Sequence, residues 1–154
     1  MTDPATLRLA TAGDLERLLP LFRAYQAHYR ELSSAGEEQT RAWLDLLLTQ
    51  PGQGFVVLAE RGGSVAGFAT GYFTISGVIA ERLVHLGDLF VAPDYRRQGV
   101  GKALVDRVTE EARKEGIKFV RWLSVAANPE LNAWYASLGA TSGEFRLFLR
   151  PTGA

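Results

Sequence analysis

The residues with the clearest chemical potential lie between positions 86 and 103, in the stretch LGDLFVAPDYRRQGVGKA. An apolar, strand-like run is followed there by Arg96-x-x-Gly99-x-Gly101 and then by the apolar spacing of a helix. The first N–H groups of a helix have no internal partners, and the helix dipole favours negative charge beside them. Because glycine has no Cβ, a phosphate can approach its backbone closely. This stretch therefore predicts a local anion site at the start of a helix.

Two other interpretations use the same residues. One is a plain helix start with exposed arginines on a solvated turn. The other is a nucleotide-binding P-loop, which requires a glycine five residues before Gly101 and a hydroxyl after Lys102. Arg96 and Ala103 occupy those two positions, so the P-loop is excluded, whereas the plain helix start stays open.

The composition limits the classes of partner. The chain has 154 residues, of which 47% are hydrophobic and 22% charged, and its formal net charge is zero, as in an ordinary soluble globular protein. Without a global basic field, neither nucleic acid nor an anionic membrane is an expected partner. The absence of cysteine excludes disulfides, thiolate metal sites and a cysteine nucleophile. We expect a single cytoplasmic domain, residues 1–154, that needs no metal.

The hydrophobic periodicity predicts the elements that position these residues. Their order is β-α-α-β-β-β-α-β-α-β, which fits an α/β mixed sheet with helices on both faces. Strands are expected at residues 7–10, 55–60, 65–75, 118–125 and 144–150, and in a run that ends at Val91. Helices are expected after a cap at Thr11 or Asp14, over residues 37–49, from the glycines to Glu115, and from Asn128 to near Gly139. Pro20 should kink or split the first helix, and residues 33–36 should form a turn.

Two motifs carry a resemblance to a known family. The stretch VAPDYRRQGVGKAL resembles motif A of the GNAT superfamily of acetyl-CoA-dependent N-acetyltransferases, whose signature is [QR]-x-x-G-x-[GA]. The run from Asn128 through Tyr135 to Gly139 resembles a second family pattern, although Leu131 and Ala140 depart from it. The element order also matches, so the resemblance covers nearly the whole chain.

The resemblance implies a fold, a cosubstrate and a set of contacts. The fold is a mixed, mostly antiparallel sheet of six to seven strands with about four helices, splayed at a cleft for acetyl-CoA. Backbone N–H groups of the strand that ends at Val91 would bond the acetyl carbonyl and the pantetheine, and Tyr135 would protonate the leaving thiolate. The residues implied to bind acetyl-CoA are Leu89, Phe90, Val91, Arg96, Arg97, Gln98, Gly99, Val100, Gly101, Lys102, Ala103, Asn128 and Tyr135.

The acceptor amine must lose a proton before it attacks, because alkylammonium groups have pKa values near ~10. Members of the small-amine branch carry a glutamate where this chain has Gly87, but Asp88 follows and His85 lies two residues earlier. Either side chain, or a water chain to bulk solvent, is a candidate base. The plain alternatives are a half-buried strand histidine and a hydrogen-bonded carboxylate at a β-bulge. A bulge would break the alternation of the strand, so the pattern does not say which side chain faces the cleft.

The predicted acceptor is a small primary amine, such as a polyamine, a diamine or an amino-acid-like molecule. Residues 21–29 resemble the first helix of small-amine acetyltransferases, in which Tyr25 and Tyr29 would bind a cation together with Asp88. One apolar helix stripe explains the two tyrosines equally well. Acetylation of a protein N-terminus or lysine is one alternative, and a non-catalytic acyl-CoA-binding module is another. The apolar C-terminal strand could pair across a homodimer.

Overall fold

The computed structural model describes residues 3–29, 35–125 and 127–153. The chain divides into two compact units, Met1–Trp122 and Leu123–Ala154. The organisation as a single domain stays a prediction. Of the predicted turn at residues 33–36, residues 33 and 34 lie outside the described part of the chain.

The first unit is built on a five-stranded sheet in the order β1-β2-β3-β4-β5. The first four strands pair antiparallel, and β5 runs parallel to β4. The tight hairpin turn between β2 and β3 contains two left-handed glycines, Gly62 and Gly63. The strands are β1 (Thr6–Leu9), β2 (Gly54–Arg61), β3 (Ser64–Ser76), β4 (Glu81–Val91) and β5 (Val120–Arg121).

Four α-helices occur among the described residues, as the sequence predicts. Short 3-10 turns at Ala12–Asp14 and Pro93–Tyr95 precede the first and third of them. Pro20 lies inside the first helix but does not split it. A proline removes one backbone hydrogen bond from the helix. Leu18, Leu19 and Phe22 of the same helix are buried against the sheet, and this packing keeps the helix continuous. The helices are α1 (Leu15–His28), α2 (Glu37–Thr49), α3 (Val100–Lys114) and, in the second unit, α4 (Pro129–Ser137).

Helices pack on both faces of the sheet. Phe22 of α1 stacks on Phe68 of β3, with ring centroids 3.9 Å apart. Leu104 of α3 approaches the neighbouring residue Gly67, at 3.2 Å from where its Cβ would be. Successive residues of a strand point to opposite faces, so α1 and α3 lie on opposite sides of β3. The α1–α2 side holds a buried apolar cluster that includes Leu18, Phe22, Leu44, Val56, Leu58, Phe68 and Phe90.

An ion-pair cluster joins the start of the chain to the sheet. Arg8 of β1 donates to both oxygens of Asp14, at 2.8 and 2.7 Å, and to Glu60 of β2 at 2.8 Å. Arg17 of α1 lies 2.7 Å from the other Glu60 oxygen. Asp14 is only 5% exposed and also accepts from the backbone N–H of Thr11 at 2.8 Å. These bonds fix the entry into α1 against the edge of the sheet.

The strand prediction was wrong at the end of the chain. Five strands form among the described residues instead of six to seven, since residues 144–150 adopt no strand and the strand predicted at 118–125 is reduced to β5. Apolar alternation records which face a strand would bury, but a strand also needs a neighbour for its backbone hydrogen bonds. Here the apolar side chains of the segment are left exposed, namely Phe145, Leu147, Phe148 and Leu149.

No helix within the described ranges has the length and apolarity that a membrane span requires. The same ranges contain no group of three or more His, Asp or Glu side chains placed to hold a metal ion.

Candidate active site

The predicted anion site lies at the N-terminus of α3. Gly99 precedes the helix with φ +80°, a left-handed conformation that favours glycine. The first helical hydrogen bond runs from the N–H of Ala103 to the carbonyl of Gly99 at 3.0 Å. The N–H groups of Val100, Gly101 and Lys102 therefore have no partner within the helix. No acidic residue occurs in this first turn, so its backbone suits an anion.

Side chains around this turn brace the loop. Arg96 donates from Nε to the carbonyl of Val91 at 2.9 Å, and its guanidinium lies 5.5 Å from the Phe90 ring centroid. Gln98 donates to the carbonyl of Asp94 at 2.9 Å and accepts a bond from Arg61 of β2. Arg97 adopts φ +60°, and Lys102 is paired 2.5 Å from Asp106. Arg96 and Gln98 therefore stabilise the conformation of the turn that presents the N–H groups at the start of α3.

A β-bulge in β4 creates the second part of the site. Ala69 pairs with Leu89, whereas Gly71 pairs with Leu86. Between these pairs one residue of β3 faces two residues of β4, Gly87 and Asp88. A bulge of this kind bends the strand and changes which side chains share a face.

The bulge brings His85 and Asp88 to the same face of the sheet. His85 lies directly opposite Tyr72, and cross-strand partners project to the same side. Asp88 accepts hydrogen bonds from Thr70 and Tyr72 on that side. Strict alternation would have separated residues 85 and 88, so the bulge decides the question that the sequence left open.

The Asp88 carboxylate is held by two hydroxyl groups. Its Oδ2 accepts from Thr70 Oγ1 at 2.5 Å and from the Tyr72 phenol at 2.7 Å. The Thr70 hydroxyl in turn accepts from the Asp88 N–H at 3.0 Å. Thr70 is fully buried, whereas Asp88 is half-buried. Oδ1 accepts no hydrogen bond from the described residues, so it is the oxygen available to a ligand.

Two neighbours of the carboxylate are neutral at neutral pH. Burial, followed by the charge of Asp88, raises the pKa of Tyr72 above its ordinary value, so its phenol stays protonated and donates. Burial, followed by the charge of Arg121, lowers the pKa of His85, against the smaller opposing effect of Asp88. His85 Nδ1 is buried and has no hydrogen-bond partner among the described residues. An uncharged imidazole can accept a proton, so the geometry keeps His85 as a second candidate base.

Several aromatic rings lie on the face of the sheet that carries Asp88. Tyr25 of α1 lies 5.9 Å from Phe90 and 5.1 Å from Tyr29, measured between ring centroids. Trp43 of α2 lies 6.3 Å from Tyr72. Tyr29 is 42% exposed, whereas Tyr25 packs against the apolar cluster. The predicted substrate-binding tyrosines are therefore part of the wall on the side of the sheet that carries Asp88.

The edge of β4 opposite β3 is paired over a short length only. Its ladder with β5 contains two residue pairs, Val84 with Val120 and His85 with Arg121. Beyond His85, β4 continues to Val91 in register with β3 alone. This open edge agrees with the predicted splay, and it leaves residues 89–91 without a ladder on that side among the described strands.

The remaining predicted residues, Asn128 and Tyr135, lie in the second unit. The Asn128 side chain accepts from the N–H of Leu131 at 3.0 Å and so caps α4, as Asn before Pro129 predicts. Tyr135 lies 5.0 Å from Trp134 between ring centroids. Its place beside the CoA sulfur stays a prediction.

Comparison with known proteins decides the family. The sequence model of the Acetyltransferase (GNAT) family matches residues 18–140. This chain belongs to the GNAT acetyltransferase family. The match includes the turn at residues 96–103 and the motif from Asn128 to Gly139, which the sequence had singled out.

Several relatives of this GNAT chain are N-acetyltransferases. An uncharacterized N-acetyltransferase of Bacillus subtilis, YhfO, is 29% identical over 133 residues, which are 86% of this chain and 87% of the relative. The thialysine N-epsilon-acetyltransferase of Bos taurus is 30% identical over 148 residues, covering 87% and 82% of the two chains. The ribosomal protein bS18 alanine N-acetyltransferase of Escherichia coli is 37% identical over 81 residues, 52% and 53% of the two chains.

Solved structures share the GNAT fold. A probable acetyltransferase has a TM-score of 0.82 and 26% identity, with 95% of this chain and 97% of the other covered. The aminoglycoside N-acetyltransferase AAC(6')-Iy, solved in complex with CoA, also has a TM-score of 0.82, at 20% identity and with 96% and 95% of the chains covered. Together with the family match and the N-acetyltransferase relatives, this identifies the chain as an acetyl-transferring enzyme of the GNAT family that uses acetyl-CoA as its cosubstrate.

Sequence analysis missed Thr70 and Tyr72. Both belong to β3, which the sequence predicted only as a strand over residues 65–75. The available signal was the alternation of Phe68, Thr70 and Tyr72, which places two hydroxyl groups on one face beside an aromatic ring. Their partner could not be found from spacing alone, because the bulge sets the pairing.

Proposed function

We propose that this GNAT enzyme transfers the acetyl group of acetyl-CoA to the primary amine of a small cationic molecule, such as a polyamine, a diamine or an amino-acid-like amine. The observation that carries the proposal is the half-buried Asp88 carboxylate, with one oxygen held by two hydroxyls and the other available on an aromatic-lined face. An ammonium group is attracted to the carboxylate, and an alkyl chain packs well on aromatic rings.

Each group in the first unit has a task that matches its chemistry. Bound acetyl-CoA would supply the thioester that the amine attacks. The N–H groups at the start of α3 would hold its pyrophosphate, and those of residues 89–91 would bond the acetyl carbonyl, where charge develops during attack. Asp88 Oδ1 would bind the acceptor ammonium and accept its proton.

In the second unit, Tyr135 would donate a proton to the thiolate that leaves. A phenol with an ordinary pKa near ~10 is a suitable acid for a thiolate. This role rests on the family motif that runs from Asn128 to Gly139, in which Tyr135 has the matching position.

The relatives support two classes of acceptor. The Bos taurus enzyme is named for thialysine, a small amine, and it aligns with 87% of this chain. The Escherichia coli enzyme is named for an alanine of ribosomal protein bS18, and it aligns with 52% of this chain. The longer alignment and the aromatic wall that includes Tyr25 and Tyr29 favour the small amine. Acetylation of a protein N-terminus is the second candidate.

A direct competition between acceptors tests the proposal. Purified enzyme is given acetyl-CoA with linear diamines, polyamines, lysine and lysine analogues, and in parallel with peptides that begin with alanine. Free thiol release gives kcat/KM for each acceptor, and mass spectrometry identifies the acetylated product. We expect at least one small amine to exceed every peptide by more than about tenfold, a difference that one good polar contact can supply. A preference for the peptides would overturn the small-amine proposal and favour the second candidate.

A further inference from the structure

We propose that Tyr72 is a positioning residue for proton acceptance: its phenol, with the Thr70 hydroxyl, fixes the Asp88 carboxylate so that Oδ1 is presented to the ammonium of the acceptor. The inference rests on the proposed function, because it assigns Asp88 to the acceptor amine. Two β3 residues are thereby added to the site, and they orient the charge of Asp88 towards the acceptor.

Two hydrogen bonds to Asp88 fix the orientation of its carboxylate. Tyr72 and Thr70 both donate to the same oxygen, Oδ2, at 2.7 and 2.5 Å. Two donors on one oxygen restrict rotation of the carboxylate about its Cβ–Cγ bond. The lone pairs of Oδ1 stay available, because the described residues donate no hydrogen bond to it. Charge-assisted bonds of this type are the stronger ones.

Gly87 supports the inference, because its lack of a side chain leaves room for the Tyr72 ring. A Cβ at position 87 would lie 2.1 Å from Tyr72 Cε2 and 2.8 Å from Cδ2. Gly87 does not have the left-handed φ that would itself require glycine. The reason for glycine here is therefore steric, and any side chain at 87 would push the ring from its position above the bulge.

Packing and burial keep the Tyr72 phenol in place and protonated. Its ring lies 6.3 Å from that of Trp43 on α2, and it packs against the buried cluster. Burial and the nearby Asp88 charge hold the phenol in its protonated form, so it donates to the carboxylate. A neutral donor in a packed position orients Asp88 without adding a competing charge.

The class of acceptor follows from this geometry. A carboxylate with one fixed and one available oxygen favours a ligand that brings a proton donor and a positive charge, which an alkylammonium does. An acceptor amine that is already neutral needs neither the negative charge of Asp88 nor a group that accepts its proton before attack. Tyr72 should therefore matter more for alkylammonium acceptors than for neutral amines.

A double-mutant cycle tests the inference. Tyr72→Phe keeps the ring and removes only the hydroxyl, and it is combined with Asp88→Asn. With the best ammonium acceptor, we expect Tyr72→Phe to lower kcat/KM about tenfold, as expected for a lost hydrogen bond to a charged group. In the Asp88→Asn background the same change should cost less than about twofold, because residues that act through one another are non-additive. Thr49→Val, which removes an exposed hydroxyl bonded to the Asp45 carbonyl on α2, is the control and should retain wild-type activity.

Two further readouts separate positioning from a structural role. The KM for acetyl-CoA and the melting temperature of Tyr72→Phe should equal those of the wild type. Gly87→Ala should lower kcat/KM at least as much as Tyr72→Phe, because its Cβ displaces the ring that carries the hydroxyl.

The inference is overturned if Tyr72→Phe retains full activity, if its cost is the same with and without Asp88, or if its loss comes with a lower melting temperature and weaker acetyl-CoA binding. If Tyr72→Phe does not fold, the Gly87→Ala and Asp88→Asn cycle answers the same question, and additive costs there overturn the inference. Failure of the proposed function gives a different result, because wild-type enzyme would then prefer peptides. The cycle would still be measured on the preferred peptide.

Discussion

Asp88 and His85 are the two candidate bases, and a bulge in β4 brings them to one face of the sheet. Their types and their place in the strand before the anion turn predicted candidate bases. The side on which each one lies could not be predicted, because a single bulge reverses the alternation after it. The structure places both on the face that carries Tyr72. The bulge depends on pairing between β3 and β4, which is a property of two strands and not of one.

Substitution of Tyr135 tests its proposed role as the acid that protonates the leaving thiolate. Tyr135→Phe removes the hydroxyl and keeps the ring that contacts Trp134. If Tyr135 protonates the leaving thiolate, kcat should fall by on the order of 10²-fold, the usual effect of a positioned general acid. Acetyl-CoA affinity should change little, because the interaction strengthens mainly in the transition state. Steady-state kinetics with a CoA titration and a melting curve measure all three, and full activity of the variant would contradict the acid role.

The turn before α3 is the element that the sequence predicted best. Its glycines and the helix that follows were both identified, and the helix begins at Val100. The contacts that the arginine side chains make were less predictable. Arg96 supports the loop through the Val91 carbonyl and the Phe90 ring, contacts that depend on how the loop folds back on β4.

Gly99→Ala tests the anion turn. Gly99 and Gly116 both have positive φ, +80° and +71°, and a Cβ on either would meet no described atom within 4 Å. Both alanine variants should therefore be destabilised by about 1 kcal/mol from backbone strain. Only Gly99→Ala should raise the Kd for acetyl-CoA, because its Cβ would enter the space of the pyrophosphate. Calorimetric titration of both variants makes the comparison, and equal Kd values would contradict the phosphate-binding turn.

The C-terminal segment is the element that the sequence predicted worst. Residues 144–150 alternate as a strand would, and yet they form none in the structure. Periodicity reports the face that a segment could bury, whereas strand formation also requires a partner for its backbone. The exposed side chains Phe145 and Phe148 are compatible with the homodimer expected from the sequence, which stays a prediction.

For the whole molecule, the order of elements from β1 to α4 could be predicted from the chain, because each long element carries its own periodicity and its own end signals. The interactions between distant segments could not. The cluster of Arg8, Asp14 and Glu60 joins residues up to 52 positions apart, and no local pattern marks it.

This cluster predicts how the stability of the fold depends on pH. The hydrogen bonds from Arg8 hold the pKa of Asp14 well below its usual range. A carboxylate with a lowered folded-state pKa stabilises the fold fully above its unfolded pKa of ~3.9 and loses that contribution as the pH falls towards the folded value. Asp14→Asn should therefore lower the free energy of unfolding by about 2 kcal/mol at neutral pH, and the difference should shrink below about pH 4.

Urea unfolding at neutral and acidic pH measures this difference. Asp45 lies exposed on α2, so Asp45→Asn is the matched control and should match the wild type at both pH values. A constant difference between wild type and Asp14→Asn across the acidic range would contradict the ion-pair account.

The central claim is that Asp88 takes the proton of a small ammonium acceptor, and one comparison tests it most directly. The kcat/KM values of wild type, Asp88→Asn and His85→Gln are measured with 1,4-diaminobutane, which is charged at the assay pH, and with methoxyamine, which is neutral. We predict that Asp88→Asn lowers kcat/KM for the diamine by on the order of 10²-fold, the usual contribution of a general base. For methoxyamine the loss should stay below about tenfold, since that acceptor has no proton to lose before attack. Equal losses for both acceptors, or a loss for the diamine in His85→Gln alone, would contradict the claim.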